Sequence, residues 1–270
     1  FTERYYQYNG IKYSLTDIFN KFIVLWKYKG TKCSTAEVLE ELDIVEYPNT
    51  NAEEAILKLC DFIINIRNFL LFEKSRLDDE ADEAEQHNRY CLDGEEVKVP
   101  KRLFIHDKMI NDLINEILNS LNYEILEKED YQCFIVKKNV DSEETAKVIQ
   151  DNDISAKVLQ YNDYRIVYDK DAKKDLLKSL ADYFEGHKKQ IKSFNSDLEN
   201  NISFALNNFN IRHNNTTGAK ANEFVKSISD KELITLYDKT YFLMIIAFRL
   251  IALKDFEKDI DGIRKNKFKK

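Results

Sequence analysis

The sequence predicts a mainly α protein: a helical bundle with a long C-terminal antiparallel helix hairpin and a small β-hairpin near residues 123–136. Three observations carry that expectation. Only six glycines and two prolines, Pro48 and Pro100, punctuate 270 residues. All-β sandwiches need a turn every ten residues or so, and Rossmann and P-loop sites need clustered glycines. Apolar residues recur in steps of three and four through the C-terminal third. With 43% hydrophobic and 12% aromatic residues, the chain also has enough apolar surface to build a core, which excludes wholesale disorder.

Ser14 is a candidate N-cap for a first helix carrying Leu15, Ile18, Phe19, Phe22 and Trp26, ended by Gly30. Ser34 or Thr35 starts a short helix with Val38, Leu39 and Leu42. A third helix is expected from about Ala52 to Phe72, with Ile56, Leu59, Ile63, Ile66 and Leu70 on one face. Three helices with short turns could form a DNA-reading module, but the third offers only Lys58 and Arg67 beside Glu53, Glu54 and Asp61. Packing of a helical subdomain is the better reading.

The net charge of −7 is concentrated in one stretch. Between Glu73 and Val97 stand ten acids and three bases, so this segment holds the entire excess and the remaining residues balance. A broad polyanion-binding surface is therefore excluded; a local phosphate site is not. The run shows no apolar periodicity. It forms a solvated helix face or a mobile linker, or it imitates nucleic-acid charge toward a basic partner.

Beyond Arg102, Leu103, Met109, Leu113, Ile117 and Leu121 predict a helix, and Tyr123–Leu126 and Cys133–Val136 two short strands. Helical stretches follow from Ser142 and over Ile154–Leu159, and Tyr161–Tyr164 reads as a connection. Leu180, Phe184, His187, Ile191, Phe194, Leu198, Ile202, Leu206 and Phe209 predict one helix from about Asp171 to Phe209, with Gly186 as a candidate bend. Another starts near Ser229 or Asp230 and presents Leu233, Tyr237, Tyr241, Met244, Phe248 and Ile251. Three parts result: an N-terminal helical subdomain at 1–72, an acidic linker or insert at 73–100, and a helical bundle domain at 101–270.

Cys33, Cys60, Cys91 and Cys133 form no CxxC pair and no Cys-His cluster, so neither a zinc site nor a disulfide framework is expected. No metal and no cofactor is called for. No secretory signal opens the chain. Its longest apolar stretch, Tyr241–Phe248, stops at Arg249, short of the ~20 residues of a membrane span. A cytoplasmic protein without membrane partners is expected.

The connection between the two long helices, Asn207 to Gly218, packs an Arg, a His and several amides into a short space. A wet loop of turn and cap residues accounts for Asn214 to Gly218. It accounts less well for Ile211-Arg212-His213, which continue directly from an apolar stripe. Arg offers a planar fork of donors that matches phosphate oxygens. His can take a proton from a ribose 2′-hydroxyl and return one to the leaving oxygen, without a metal. Asn214 or Asn207 could orient the imidazole or donate to the phosphate. Tyr237, Asp238 and Tyr241 face this region only if the hairpin is tight. Adjacent positions diverge by about 100° on a helix, so a shared site requires a helix end here.

The segment NNFNIRHNN (Asn207–Asn215), followed by LYDKTYFLMIIAF (Leu236–Phe248), resembles HEPN-type helical proteins of bacterial abortive-infection and toxin systems. The resemblance covers the C-terminal third. It implies a helical bundle, a homodimer through the C-terminal helices with Arg and His side chains meeting across it, and metal-independent RNA cleavage in the active members. Arg212 matches the family's Arg. His213 occupies the polar position after it, where the family places its His further along the helix. The resemblance thus implies a metal-independent endoribonuclease in which Arg212 holds the scissile phosphate, His213 is the general base and Asn214 assists. Asn207, Asn210 and Asn215 would contact the RNA. The alternative is a non-catalytic dimerising scaffold or sensor subunit bound to another defence-system protein.

The remaining basic groups have plainer readings. His187 is expected at the core edge, and His87 and His106 have no visible partner. Arg249 is expected to snorkel or pair with a carboxylate. The run Arg264–Lys270 reads as a solvated tail, or as a non-specific attraction for RNA or for the acidic insert.

Overall fold

Most helix starts among the described residues are set by asparagine and aspartate side chains. The computed structural model describes residues 5–8, 11–14, 51–90, 97–99, 107–127, 133–213, 217 and 222–267. Among them the fold is mainly α with short two-stranded pairings. The chain divides into two compact units, residues 1–135 and 136–270.

In the first unit, β1 (Tyr5–Tyr8) pairs antiparallel with β2 (Ile11–Ser14), Tyr8 opposite Ile11. Asn9-Gly10 separates them, a favoured dipeptide of two-residue hairpin connections. Ser14 therefore ends a strand. The helices expected over residues 15–29 and from Ser34 lie outside the described residues, as does His106.

Helix α1 (Ala52–Tyr90) starts where Asn51 Oδ1 accepts the Glu54 N–H at 2.8 Å. It continues well past Phe72, so the boundary expected at 72/73 falls inside a helix, and the acidic run up to Tyr90 is helical rather than a linker. Leu77, Ala81 and Ala84, spaced by four and three, are buried. Small alanines thus carry the apolar stripe that the charges obscure. Lys74–Asp78 and Arg76–Glu80 pairs one turn apart offset part of the like-charge repulsion.

Helix α2 (Asp107–Ser120) leads into β3 (Tyr123–Glu127), which pairs with β4 (Cys133–Lys137), the small hairpin expected there. Arg67 is buried, donating to Asn68 Oδ1 at 3.1 Å and Glu127 Oε1 at 3.4 Å, while Lys58 pairs with Glu54. The two bases of the third predicted helix are thus engaged within the unit rather than presented to DNA.

The second unit contains α3 (Val140–Val148), α4 (Asn152–Gln160), a 3-10 turn (Tyr164–Ile166), α5 (Lys170–Phe194), α6 (Ser196–Asn208), α7 (Glu223–Ser227) and α8 (Asp230–Lys267). Side chains of Asn139, Asp151, Asp163, Asp169, Asn195 and Asn222 each accept a backbone N–H at an element start. Before α8, Ser229 and Glu232 form a reciprocal capping box.

Asn195 changes the expected architecture. One helix from Asp171 to Phe209 does not form. The Asn195 N–H closes α5 on Ile191 O, and its side chain opens α6 on Leu198 N at 2.9 Å. Gly186, the candidate bend, lies inside the continuous helix α5 with open space around its Cα.

The antiparallel hairpin is therefore α5 with α6: Lys192 and Lys188 meet Glu199, and Glu185 meets Arg212. Helix α8 runs in the same direction as α5. Lys170 pairs with Asp230, Lys173 with Asp238, Tyr183 packs on Phe248, and Gln190 donates to Ile251 O. Leu177, Leu180, Phe184 and Ile191 of α5 share a core with Ile202 and Leu206 of α6 and with Tyr237, Met244 and Phe248 of α8. Among the described residues no helix is long and apolar enough to cross a membrane.

Candidate functional site

The last turn of α6 builds the Arg-His-Asn segment. The Phe209 N–H closes on Ala205 O at 2.9 Å, and Asn208 Nδ2 donates to Phe204 O at 2.8 Å. Asn210 then adopts φ 60°, the left-handed conformation that asparagine tolerates better than most residues. That reversal drives Ile211 into the core, where it is fully buried, and lets the Arg212 N–H reach back to Leu206 O at 3.1 Å. The apolar stripe thus ends in a plug. A helix end does occur where the shared-site argument required one.

The same reversal directs Arg212 onto α5. Its Nη1 donates to Glu185 Oε1 at 2.7 Å and its Nη2 to the Ala181 carbonyl at 3.1 Å. Two edges of the guanidinium are thereby committed to one face of a neighbouring helix, with the side chain 23% exposed. Glu185 also meets Lys188 at 3.5 Å, Lys188 meets Glu199 at 3.3 Å, and Lys192 approaches Glu199 at 3.8 Å. A chain of alternating charge therefore ties the loop, α5 and α6 together.

Glu199 is 2% exposed. Burial pushes its carboxyl group up, but the Ser203 hydroxyl, which donates at 2.7 Å, and Lys188 and Lys192 outweigh that and hold it below the usual carboxylate range.

The remaining predicted site residues are distributed as follows. Asn207 is exposed on α6, Asn210 is the left-handed residue, and His213 is half-buried directly after Arg212. Asn214 and Asn215 lie outside the described residues. The structure thus gives Arg212 and Asn210 definite roles in shaping the chain.

Tyr237, Asp238 and Tyr241 belong elsewhere, because α8 runs parallel to α5. Tyr161 Oη and Lys173 both donate to Asp238, and the Lys173 ammonium also lies 4.7 Å from the centre of the Tyr161 ring. Tyr241 stacks on Tyr161 with ring centres 4.0 Å apart and donates to Val158 O at 2.6 Å, while Ser142 and Asn162 donate to its oxygen. Burial pushes both phenols well above their ordinary range, so they stay neutral. This cluster fastens α3, α4 and α5 to α8.

His187 sits at the core edge as expected, Nδ1 to Tyr183 O at 2.9 Å. Arg249 pairs with Asp141 at 3.0 Å. Among the described residues no group of three or more His, Cys, Asp or Glu side chains is placed to hold a metal ion.

Sequence reasoning missed Glu185, the carboxylate that engages Arg212, and Lys188 and Glu199, which extend that pair into a chain of charge. Glu185 is separated from Arg212 by 27 positions, and no local pattern joins them. Comparison with protein-family models, curated proteins and solved structures finds no match.

Proposed function

We propose that the chain is a non-catalytic helical interaction module, a scaffold or sensor subunit of the kind of defence assembly its C-terminal resemblance implies. One observation carries this reading: the Arg212 guanidinium is occupied by Glu185 and the Ala181 carbonyl of its own chain. A phosphate clamp needs that fork open, and a carboxylate bound to it competes with an incoming anion. An endoribonuclease reading would need Glu185 to release Arg212 when RNA arrives.

The test is direct. Labelled RNA is incubated in chelator with the wild-type chain and with Arg212→Ala, His213→Ala and Glu185→Gln. The proposal expects no cleavage by any of them, and lower thermal stability for Arg212→Ala and Glu185→Gln. Cleavage by the wild type that leaves cyclic-phosphate ends and is lost in the Arg212 and His213 variants would establish the enzyme instead.

A further inference from the structure

Phe204 stands on the outer face of α6, 59% exposed, and each of its four helical neighbours is an asparagine. Asn200 and Asn201 precede it by four and three positions, and Asn207 and Asn208 follow it by three and four. Residues so spaced surround one another on a helix surface. From Asn200 to Ile211 the chain carries no charge, although 33% of all its residues are charged. The outer face of a surface helix normally carries Asp, Glu, Lys or Arg. Asparagine is also a poor helix former, because its side chain competes for backbone groups. Of the four amides only that of Asn208 is engaged among the described residues, donating to Phe204 O at 2.8 Å. Asn200, Asn201 and Asn207 are exposed.

The Phe204 ring is held by a second aromatic. Phe209 lies perpendicular to it, with ring centres 5.8 Å apart and planes at 88°, one of the preferred geometries of an aromatic pair. Phe209 in turn lies 6.4 Å from Phe224, another open ring at 50% exposure. The result is an inclined aromatic platform inside a ring of amides.

We infer that this face of α6 is a binding site for a neutral saccharide, with Phe204 as the stacking platform and Asn200, Asn201 and Asn207 as the groups that meet its hydroxyls. The inference goes beyond the interaction reading and does not depend on it. Charge complementarity selects the class of ligand. A nucleic acid needs cations beside the platform to meet its phosphates, and α6 supplies none within a turn of Phe204. Lys226, near Phe224 in sequence, is paired with Glu223. A charged peptide or lipid headgroup lacks an opposite charge here for the same reason. A wholly apolar partner would strip water from the amides and leave them unpaired. A pyranose ring meets both demands. Its axial C–H groups form an apolar face that lies flat on an aromatic ring. Its equatorial hydroxyls donate and accept at once, as an amide does through its NH2 and its carbonyl oxygen.

The side-chain amide resonances of the intact, 15N-labelled chain test the site. Cellotetraose, maltotetraose and chitotetraose are each titrated to ~10 mM, well above the ~1 mM dissociation constant of a shallow site. At least one of the three is expected to shift the Asn200, Asn201 and Asn207 amides saturably. Phe204→Ser alters only an exposed ring, so circular dichroism should stay unchanged while affinity falls about tenfold. Phe204→Tyr keeps the platform and should retain binding. No saturable shift with any of the three sugars overturns the inference. So does a shift that survives Phe204→Ser. A glycine-serine peptide or an RNA oligonucleotide that reproduces the shifts at the same concentration also overturns it, and assigns the face to a polypeptide or a nucleic acid.

Discussion

Asn210 is the residue on which the site turns. Its φ of 60° is strained for a side chain with a branched Cβ and easy for glycine. Asn210→Gly should leave the melting temperature nearly unchanged, whereas Asn210→Val should cost about 1–2 kcal/mol. A thermal melt of the two variants decides whether the residue serves the backbone. Equal losses in both would mean that its side chain matters more than its conformation.

Glu199 supplies a pH-dependent contribution. Because its folded-state pKa lies below the unfolded value, its contribution is complete above the ordinary carboxyl range and fades as pH falls through the folded value. Melting temperatures of wild type and Glu199→Gln should therefore differ most near neutrality and converge in acid. A difference that does not narrow with acidification would contradict the charge chain.

At the scale of the element, the decisive signals were present but weaker than the ones beside them. Asn195-Ser196-Asp197 has the composition of a helix start, with Asp197 and Glu199 in the first turn, yet the unbroken apolar spacing from Leu180 to Phe209 runs across it. A cap side chain can stop a helix without disturbing its period when the next helix packs against the same core. Asn195→Ala should destabilise the unit by about 1 kcal/mol, measured by denaturant unfolding, and Asn195→Asp should restore most of it.

The acidic half of α1 was obscured for a different reason. Its stripe is Leu77, Ala81 and Ala84, and alanine barely registers in a search for large apolar residues. Amide exchange should find residues 77–84 protected; exchange at the rate of an unfolded peptide would show a linker after all. Asn9-Gly10 was the most legible signal of the three, an unread dipeptide of the kind favoured in two-residue hairpin connections, standing in sequence between β1 and β2.

For the whole molecule, the mainly α class and the small hairpin near Tyr123 followed from composition and period. The direction of packing did not. Periodicity says which face of a helix is buried, not which way its neighbour runs, so one missed break at Asn195 was enough to exchange an antiparallel partner for a parallel one. The site suffered in the same way. Arg212 and His213 stood out in the sequence because they are adjacent, while the carboxylate that engages Arg212 belongs to another helix. Through that contact the chain leaving α6 is held against the middle of α5 on its way to the start of α8.

That contact is the centre of the account, and a double-mutant cycle measures it most directly. Unfolding free energies of wild type, Arg212→Ala, Glu185→Ala and the double variant should give a coupling of about 0.5–1 kcal/mol, the range of a partly exposed, well-aligned pair. Strict additivity of the two single changes would show that Arg212 is not held by Glu185 and is free to bind something else.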